Sequence, residues 1–194
     1  MNFESLKPSK KSIKQVGRVA VLMGGTSAER EISLMSGNAV HQALVDTGVD
    51  AFKLDIRGNA IEQLQTLKAD RVFNVLHGRG GEDGQLQAVM DLLGIKYTGS
   101  DVGASALAMN KLLTKRVLRG SGLPTPDFLV INSEEDCKKS LNELGLPVFV
   151  KPNLEGSSIG MTAVTKAEEL MPAYKKAKQF GAVFVEKYII GPEY

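Results

Sequence analysis

Between Arg18 and Ser100 the chain repeats one rhythm, an apolar run and then an amphipathic stretch, three times over. The runs "RVAVLM", "AFKLDI" and "RVFNVL" read as strands, and "EISLMSGNAVHQALVDTG", "AIEQLQTL" and "LQAVMDLLG" as the helices that follow them. Leu86, Val89, Met90 and Leu93 recur at helical spacing, with Gly94 as a stop, and Gly48 closes the first helix in the same way. Strands separated by helices of this length pair in parallel through crossovers, so an α/β unit with a parallel sheet is predicted. Two loops, "GGTSAERE" and "HGRGGEDG", each follow a strand and precede a helix. Both therefore belong at the carboxyl edge of the sheet, where such folds take their ligands.

The character of the chain changes near residue 120. A small-residue helix around "ASALAMNKLL" leads into the Gly/Pro-rich "RGSGLPTPD". "FLVI", "PVFVK" and "AVFVEKYII" then read as strands. Ser133 with Asp136 signals a capped helix ending near Gly145, and Thr165 with Glu168 repeats the signal before Pro172, which should restrict or kink that helix. This half reads as a small open α+β layer with a Gly/Ser hairpin loop. At 194 residues, one large or two compact units are affordable. Three segments are expected: a basic tail at 1–17, an N-terminal domain at 18–103 and a second, α+β segment at 104–194.

Composition removes several function classes. Lys7, Lys10, Lys11, Lys14 and Arg18 against Glu4 give the first eighteen residues +4, which leaves −2 for the rest of a chain of net charge +2. A nucleic-acid role needs a basic face on the folded body, and only a short basic stretch is visible. No run is long enough to span a bilayer and no signal-peptide core is present, so a cytoplasmic protein with no membrane partner is expected. Cys137, the only cysteine, lies in the polar run "SEEDCKKS" and reads as an incidental helix residue, excluding a disulfide framework.

Some residues invite chemistry. Lys151 ends an apolar strand in "VFVKPNLEGSSIG". A charge leaving a buried strand is costly to desolvate unless an anion meets it. The loop beyond it offers backbone N–H groups and two hydroxyls, Ser157 and Ser158, suited to phosphate oxygens. A surface hairpin with a snorkelling lysine is the plain alternative. Glu186 and Glu193 bracket the segment "EKYIIGPE"; a carboxylate there can accept ribose hydroxyls and the intervening backbone can meet an adenine edge, or both are surface acids. His77, among Gly78, Gly80, Gly81 and Gly84, could orient a carboxylate or shuttle protons, or simply stabilise its turn. It has no partner histidine at metal-ligand spacing. Glu29 sits where a helix begins and could be a cap; Arg30 and Glu31 could be solvated.

Taken together and in order, "GGTSAEREISLMSG", "LHGRGGEDGQLQ", "YTGSDVGASALAMNK", "VKPNLEGSSIGM" and "VEKYIIGPE" closely resemble the D-alanine–D-alanine ligase family of ATP-grasp enzymes, over nearly all of Val19 to Glu193. The resemblance implies a Rossmann-like pre-ATP-grasp domain with a parallel sheet, followed by a partial α+β ATP-grasp domain. It implies that Glu29 holds the ammonium of a first D-alanine, that His77 lies beside its carboxylate and that Ser157 joins the same cluster. Lys111 and Lys151 would grip ATP phosphates with help from Ser158, while Glu186, the backbone of Lys187 to Ile189 and Glu193 would receive adenine and ribose. The implied reaction ligates two D-alanines through an acyl phosphate for peptidoglycan synthesis, with ATP and Mg2+ as cofactors and a homodimer as the common assembly. The family's metal ligands and C-terminal catalytic lobe would lie beyond Tyr194, so no metal ligand is named, and the chain alone is expected to be inactive. Joining D-alanine to D-lactate, or a non-catalytic nucleotide-binding module, are the alternative readings.

Overall fold

A computed structural model of the protein describes residues 9–191. The chain divides into two compact units, Met1–Ala106 and Leu107–Tyr194. The first runs α1 (Lys10–Val16), β1 (Val19–Gly24), α2 (Arg30–Asp46), β2 (Ala51–Ile56), α3 (Ala60–Gln65), β3 (Arg71–Asn74), α4 (Gln85–Leu92) and β4 (Lys96–Tyr97), and α5 (Val102–Met109) carries the chain across the division. Its four strands pair in parallel in the order β2-β1-β3-β4. All six residues of the central strand β1 are buried, because helices cover both faces of the sheet. Ala20, Leu22 and Val72 pack on one face with Leu64 of α3 and Leu86 and Met90 of α4. Val21, Met23 and Val75 pack on the other with Leu34, Val40 and Leu44 of α2.

Two features depart from the sequence reading of this unit. Residues 10–16, expected as a basic tail, form α1, with Ser9 accepting the Ser12 N–H at its start and Arg71 Nε donating to the Val16 carbonyl at its end. β4 is a strand of two residues, too short to leave a periodic signal.

The second unit contains α6 (Lys111–Gly120), β5 (Phe128–Ile131), α7 (Glu134–Leu144), β6 (Val148–Pro152), β7 (Thr162–Val164), a tight helical turn (Ala167–Glu169), α8 (Leu170–Lys178) and β8 (Val183–Lys187). Its sheet is antiparallel throughout, in the order β5-β8-β6-β7. Side chains alternate across such strands. Val148, Val150, Val183 and Val185 thus join Leu144, Ala173 and Ala177 of α7 and α8 in one core. Cys137 is a buried member of that core rather than an incidental helix residue.

Local signals explain most boundaries here, with three amendments. The Ser133–Asp136 capping box forms and α7 stops at Gly145. The single helix expected around "ASALAMNKLL" is two, because Asn110 leaves helical geometry and its side chain accepts the Leu113 N–H to start α6. Glu169, not Glu168, closes the turn before α8 by accepting the N–H groups of Thr165 and Lys166. Pro172 falls in the first turn of α8, where its missing N–H has no intrahelical acceptor to lose.

Gly37 marks how closely α2 approaches β1. A Cβ there would lie 2.6 Å from Met23 Cβ and 2.8 Å from its Cε. In an exposed helix Gly→Ala gains about 1 kcal/mol. Here overpacking, on the order of 1–3 kcal/mol, should prevail. Gly37→Ala is expected to lower the urea midpoint of unfolding, and an unchanged or higher midpoint would show that α2 can move away freely.

Candidate functional site

In the first unit the two glycine-rich loops leave adjacent strands, β1 and β3, at the sheet's carboxyl edge. Ser27 ties them together: its hydroxyl donates to the His77 carbonyl at 2.8 Å and accepts the Glu29 N–H at 3.2 Å. Glu29 occupies the N-cap position of α2 but makes no side-chain cap bond, so it is not simply a cap. Its Oε2 lies 2.6 Å from where a Cβ on Gly78 would stand, and Gly78 has φ +68°. Glycine there admits both the backbone conformation and the carboxylate. Glu29 and His77 are thereby brought to neighbouring backbone.

The His77 loop is held from below. Gly81's carbonyl accepts from Asn74 Nδ2 at 3.0 Å and from the buried Gln87 Nε2 at 2.8 Å, while Asn74 Oδ1 accepts the Leu76 N–H. Glu82 reaches the Gly78 N–H at 2.7 Å with one oxygen and lies 3.6 Å from His77 Nδ1 with the other. His77 Nε2 is buried and has no hydrogen-bond partner among the described residues. It lies beside a cavity of about 220 Å³ lined by Gly25, Ile56, Leu76, Gln85 and Leu86 among others. Arg30, left open between solvent and a structural role by the sequence, latches the first loop: it bonds Asp55 Oδ2 at 2.8 Å and donates to the carbonyls of Gly25 and Ile56. Its pKa is raised, chiefly by the bond to Asp55.

In the second unit the sheet face opposite the α7/α8 core carries Phe128, Phe149, Lys151, Phe184 and Glu186, brought into register by β5-β8-β6 pairing. α6 presents Lys111 and Lys115, four residues apart and so on one helical face, and both line a slot of about 180 Å³ with Ala108, Thr114, Lys151, Phe184 and Glu186. Glu186, read from sequence as a nucleotide-facing or surface acid, is only 8% exposed. Lys151 Nζ meets its Oε1 at 2.5 Å and Lys115 Nζ its Oε2 at 2.8 Å. Burial alone would raise the Glu186 pKa; the two lysine hydrogen bonds reverse that and leave it below its ordinary value. Lys111 is pushed down by burial and then by the neighbouring charge of Lys151.

Asn153 registers these groups. Its Oδ1 accepts the Leu112 N–H at 2.8 Å and its carbonyl the Lys111 N–H, fixing the start of α6 two residues beyond Lys151. Lys111 Nζ donates to the Glu155 carbonyl. Ser157 and Ser158 are exposed and both have positive φ, 46° and 59°. Non-glycine residues there cost on the order of 1 kcal/mol each. The N–H groups of Lys187 and Tyr188 are taken by the carbonyls of Asp127 and Pro147, Ile189 is exposed, and Glu193 lies outside the described residues. Sequence reasoning missed Lys115 and Asn153; the spacing of Lys111 and Lys115 was the available signal. Among the described residues no group of three His, Cys, Asp or Glu side chains fits a metal ion, and no helix is long and apolar enough to cross a membrane.

Glu186→Gln would leave Lys115 buried beside a neutral partner, a change that costs about 3–5 kcal/mol when an ion pair is broken from one side. Because the folded-state pKa is depressed, this contribution is present above the ordinary carboxylate range and disappears as pH falls through the lower folded value. Denaturation midpoints of the two proteins should therefore differ at pH 7 and converge in acid; a gap independent of pH would exclude the ionised pair as its source.

Comparison with known proteins agrees with this geometry. The family model "D-ala D-ala ligase N-terminus" matches residues 57–100, and "D-ala D-ala ligase C-terminus" matches 117–194. A D-alanine–D-alanine ligase of Pseudomonas fluorescens is 54% identical over 182 residues, covering 93% of this chain and 56% of the relative. The crystal structure of the Bacillus anthracis D-alanine–D-alanine ligase complexed with ATP superposes with a TM-score of 0.79 at 33% identity, covering 90% of this chain and 60% of that one. VanG D-Ala:D-Ser ligase of Enterococcus faecalis gives 0.76 at 30% identity, covering 90% and 63%. The chain spans little more than half the length of the curated relatives it matches. Over the residues these matches cover, the chain belongs to the D-alanine–D-alanine ligase family.

Proposed function

We propose that this chain supplies the first-substrate loops and the nucleotide-phosphate slot of an enzyme that joins two D-alanines at the expense of ATP. The observation that carries the reading is the slot whose lining sets three lysines, Lys111, Lys115 and Lys151, against one carboxylate, Glu186, with Glu155 acting on Lys111 from outside the lining. Lysine has three donor hydrogens, so Lys151 can keep one on Glu186 and offer others to phosphate oxygens. The relatives' names and the ATP complex of the Bacillus anthracis enzyme support the same assignment.

In this reading Glu29 binds the ammonium of the first D-alanine and His77 Nε2 its carboxylate, with Ser157 adding a hydroxyl. The carboxylate oxygen attacks the γ-phosphorus and the bond to the leaving ADP breaks, giving an acyl phosphate. The amine of the second D-alanine then attacks that carbonyl carbon, loses a proton, and phosphate departs. Lys111 and Lys151, assisted by Ser158, offset the negative charge that both steps concentrate. Glu186 would act toward the base, the role implied by resemblance. With the 187 and 188 donors engaged, the Ile189 N–H and the remaining carbonyls are the groups left for adenine, and Glu193 keeps the ribose role implied by resemblance. Mg2+ would accompany ATP, but no described cluster fits it and no step above runs through it. A cytoplasmic homodimer in peptidoglycan synthesis completes the proposal. The likeness to a D-Ala:D-Ser ligase supports a second reading, the same chemistry with another acceptor.

Lys151→Ala in the intact enzyme is expected to lower turnover by about 10²-fold or more, as for loss of one preorganised charge-stabilising donor. The measurement is D-alanine-dependent ADP release, with D-serine and D-lactate as competing acceptors. Wild-type turnover in the variant would remove the phosphate role, and ADP release indifferent to every acceptor would remove the ligase reading.

A further inference from the structure

We infer that Lys115 is a positioning residue that takes up the charge of Glu186 so that Lys111 and Lys151 remain available to the anionic ligand. The inference rests on the nucleotide reading above and concerns a residue that reading leaves without a role. Lys115 is 6% exposed. Its ammonium is used up by the protein: Glu186 Oε2 at 2.8 Å, Thr125 Oγ1 at 2.8 Å, and the Phe128 ring with its centroid 5.1 Å away. A lysine spent in this way is not a ligand hand.

Its effect is electrostatic and local. Among the residues lining the slot, three lysines against one carboxylate leave two net positive charges; Glu155, which acts on Lys111 from outside the lining, is the same in every variant below. Each carboxylate oxygen has its own lysine, so Glu186 holds Lys151 by one oxygen only. Without Lys115, Glu186 would turn its second oxygen toward Lys151 or toward the slot. The net charge would fall to one, and a carboxylate would face the incoming phosphates. Removing Glu186 as well would restore two positive charges among the lining residues, those of Lys111 and Lys151. A plain structural strut between α6 and β8 predicts no such restoration.

The test is binding of ATP and of inorganic tripolyphosphate to the intact protein by calorimetry; tripolyphosphate has no base or ribose, so any contact of Glu186 with those groups is invisible to it. Lys115→Met should weaken tripolyphosphate binding by about tenfold or more, the scale of one charge a few ångströms away at intermediate dielectric, and make it less salt-sensitive. Lys115→Arg should bind within about threefold of wild type, keeping the charge. The double variant Lys115→Met/Glu186→Gln should recover to within about threefold, the electrostatic balance being restored. If Lys115→Met does not fold, the double variant decides alone, since replacing both members of a buried pair is tolerated far better than removing one. A double variant that folds yet binds at least about tenfold more weakly than wild type overturns the inference, and so does Lys115→Met binding like wild type. Wild-type protein that binds neither ATP nor tripolyphosphate overturns the nucleotide reading and this inference with it.

Discussion

A single carboxylate sets the geometry of the second unit. Glu186 shares a sheet face with Phe128, Phe149, Phe184 and Lys151, where an unpaired charge would be prohibitive. It is tolerable because two lysines from different elements meet its two oxygens. That requirement holds α6 against the sheet through Lys115 and aims Lys151 inward. Such a pair adds little net stability relative to a greasy isostere, since desolvating the ions offsets their attraction; what it adds is a fixed arrangement. The arrangement has excess positive charge at one spot, which is the property a polyphosphate site needs.

The first unit solves a different problem, that of holding polar groups at the edge of a parallel sheet without secondary structure to satisfy them. Its two loops satisfy each other. Ser27 spans from one to the other, and Asn74 and Gln87 converge on the Gly81 carbonyl. Arg30 and Asp55 anchor the first loop to the end of β2. Among the described residues of this unit, three buried side-chain atoms, His77 Nε2, Asp55 Oδ1 and Gln87 Oε1, have no hydrogen-bond partner. In the second unit Ser157 and Ser158 hold positive φ, a sparsely populated backbone region for non-glycine residues.

Much of this was legible in the chain. The 3.6- and 2-residue periodicities gave the parallel sheet, the second layer and most helix ends, because apolar burial and capping are decided within a few residues. The glycines around His77 and the hydroxyl loop after Lys151 marked segments with unusual backbone, positive φ at Gly78, Gly80, Gly84, Ser157 and Ser158. What was left open or misread depended on partners distant in sequence: Arg30 on Asp55, Cys137 on a core built from four later elements, and Glu186 on two lysines 71 and 35 residues away. The break at Asn110 was missed because a capping asparagine inside a helix-favouring run looks like one more helix residue until its side chain is seen to turn back.

By itself, then, the sequence determined most of the elements, their order and the family, since these follow from local pattern and from five motifs kept in order. Only the tertiary structure decided which charges meet. Register in the sheet β5-β8-β6-β7 places Glu186 beside Lys151, and the docking of α6 on its face adds Lys115. An ion pair is fixed by distances of a few ångströms between residues dozens of positions apart, and no local periodicity encodes such a distance.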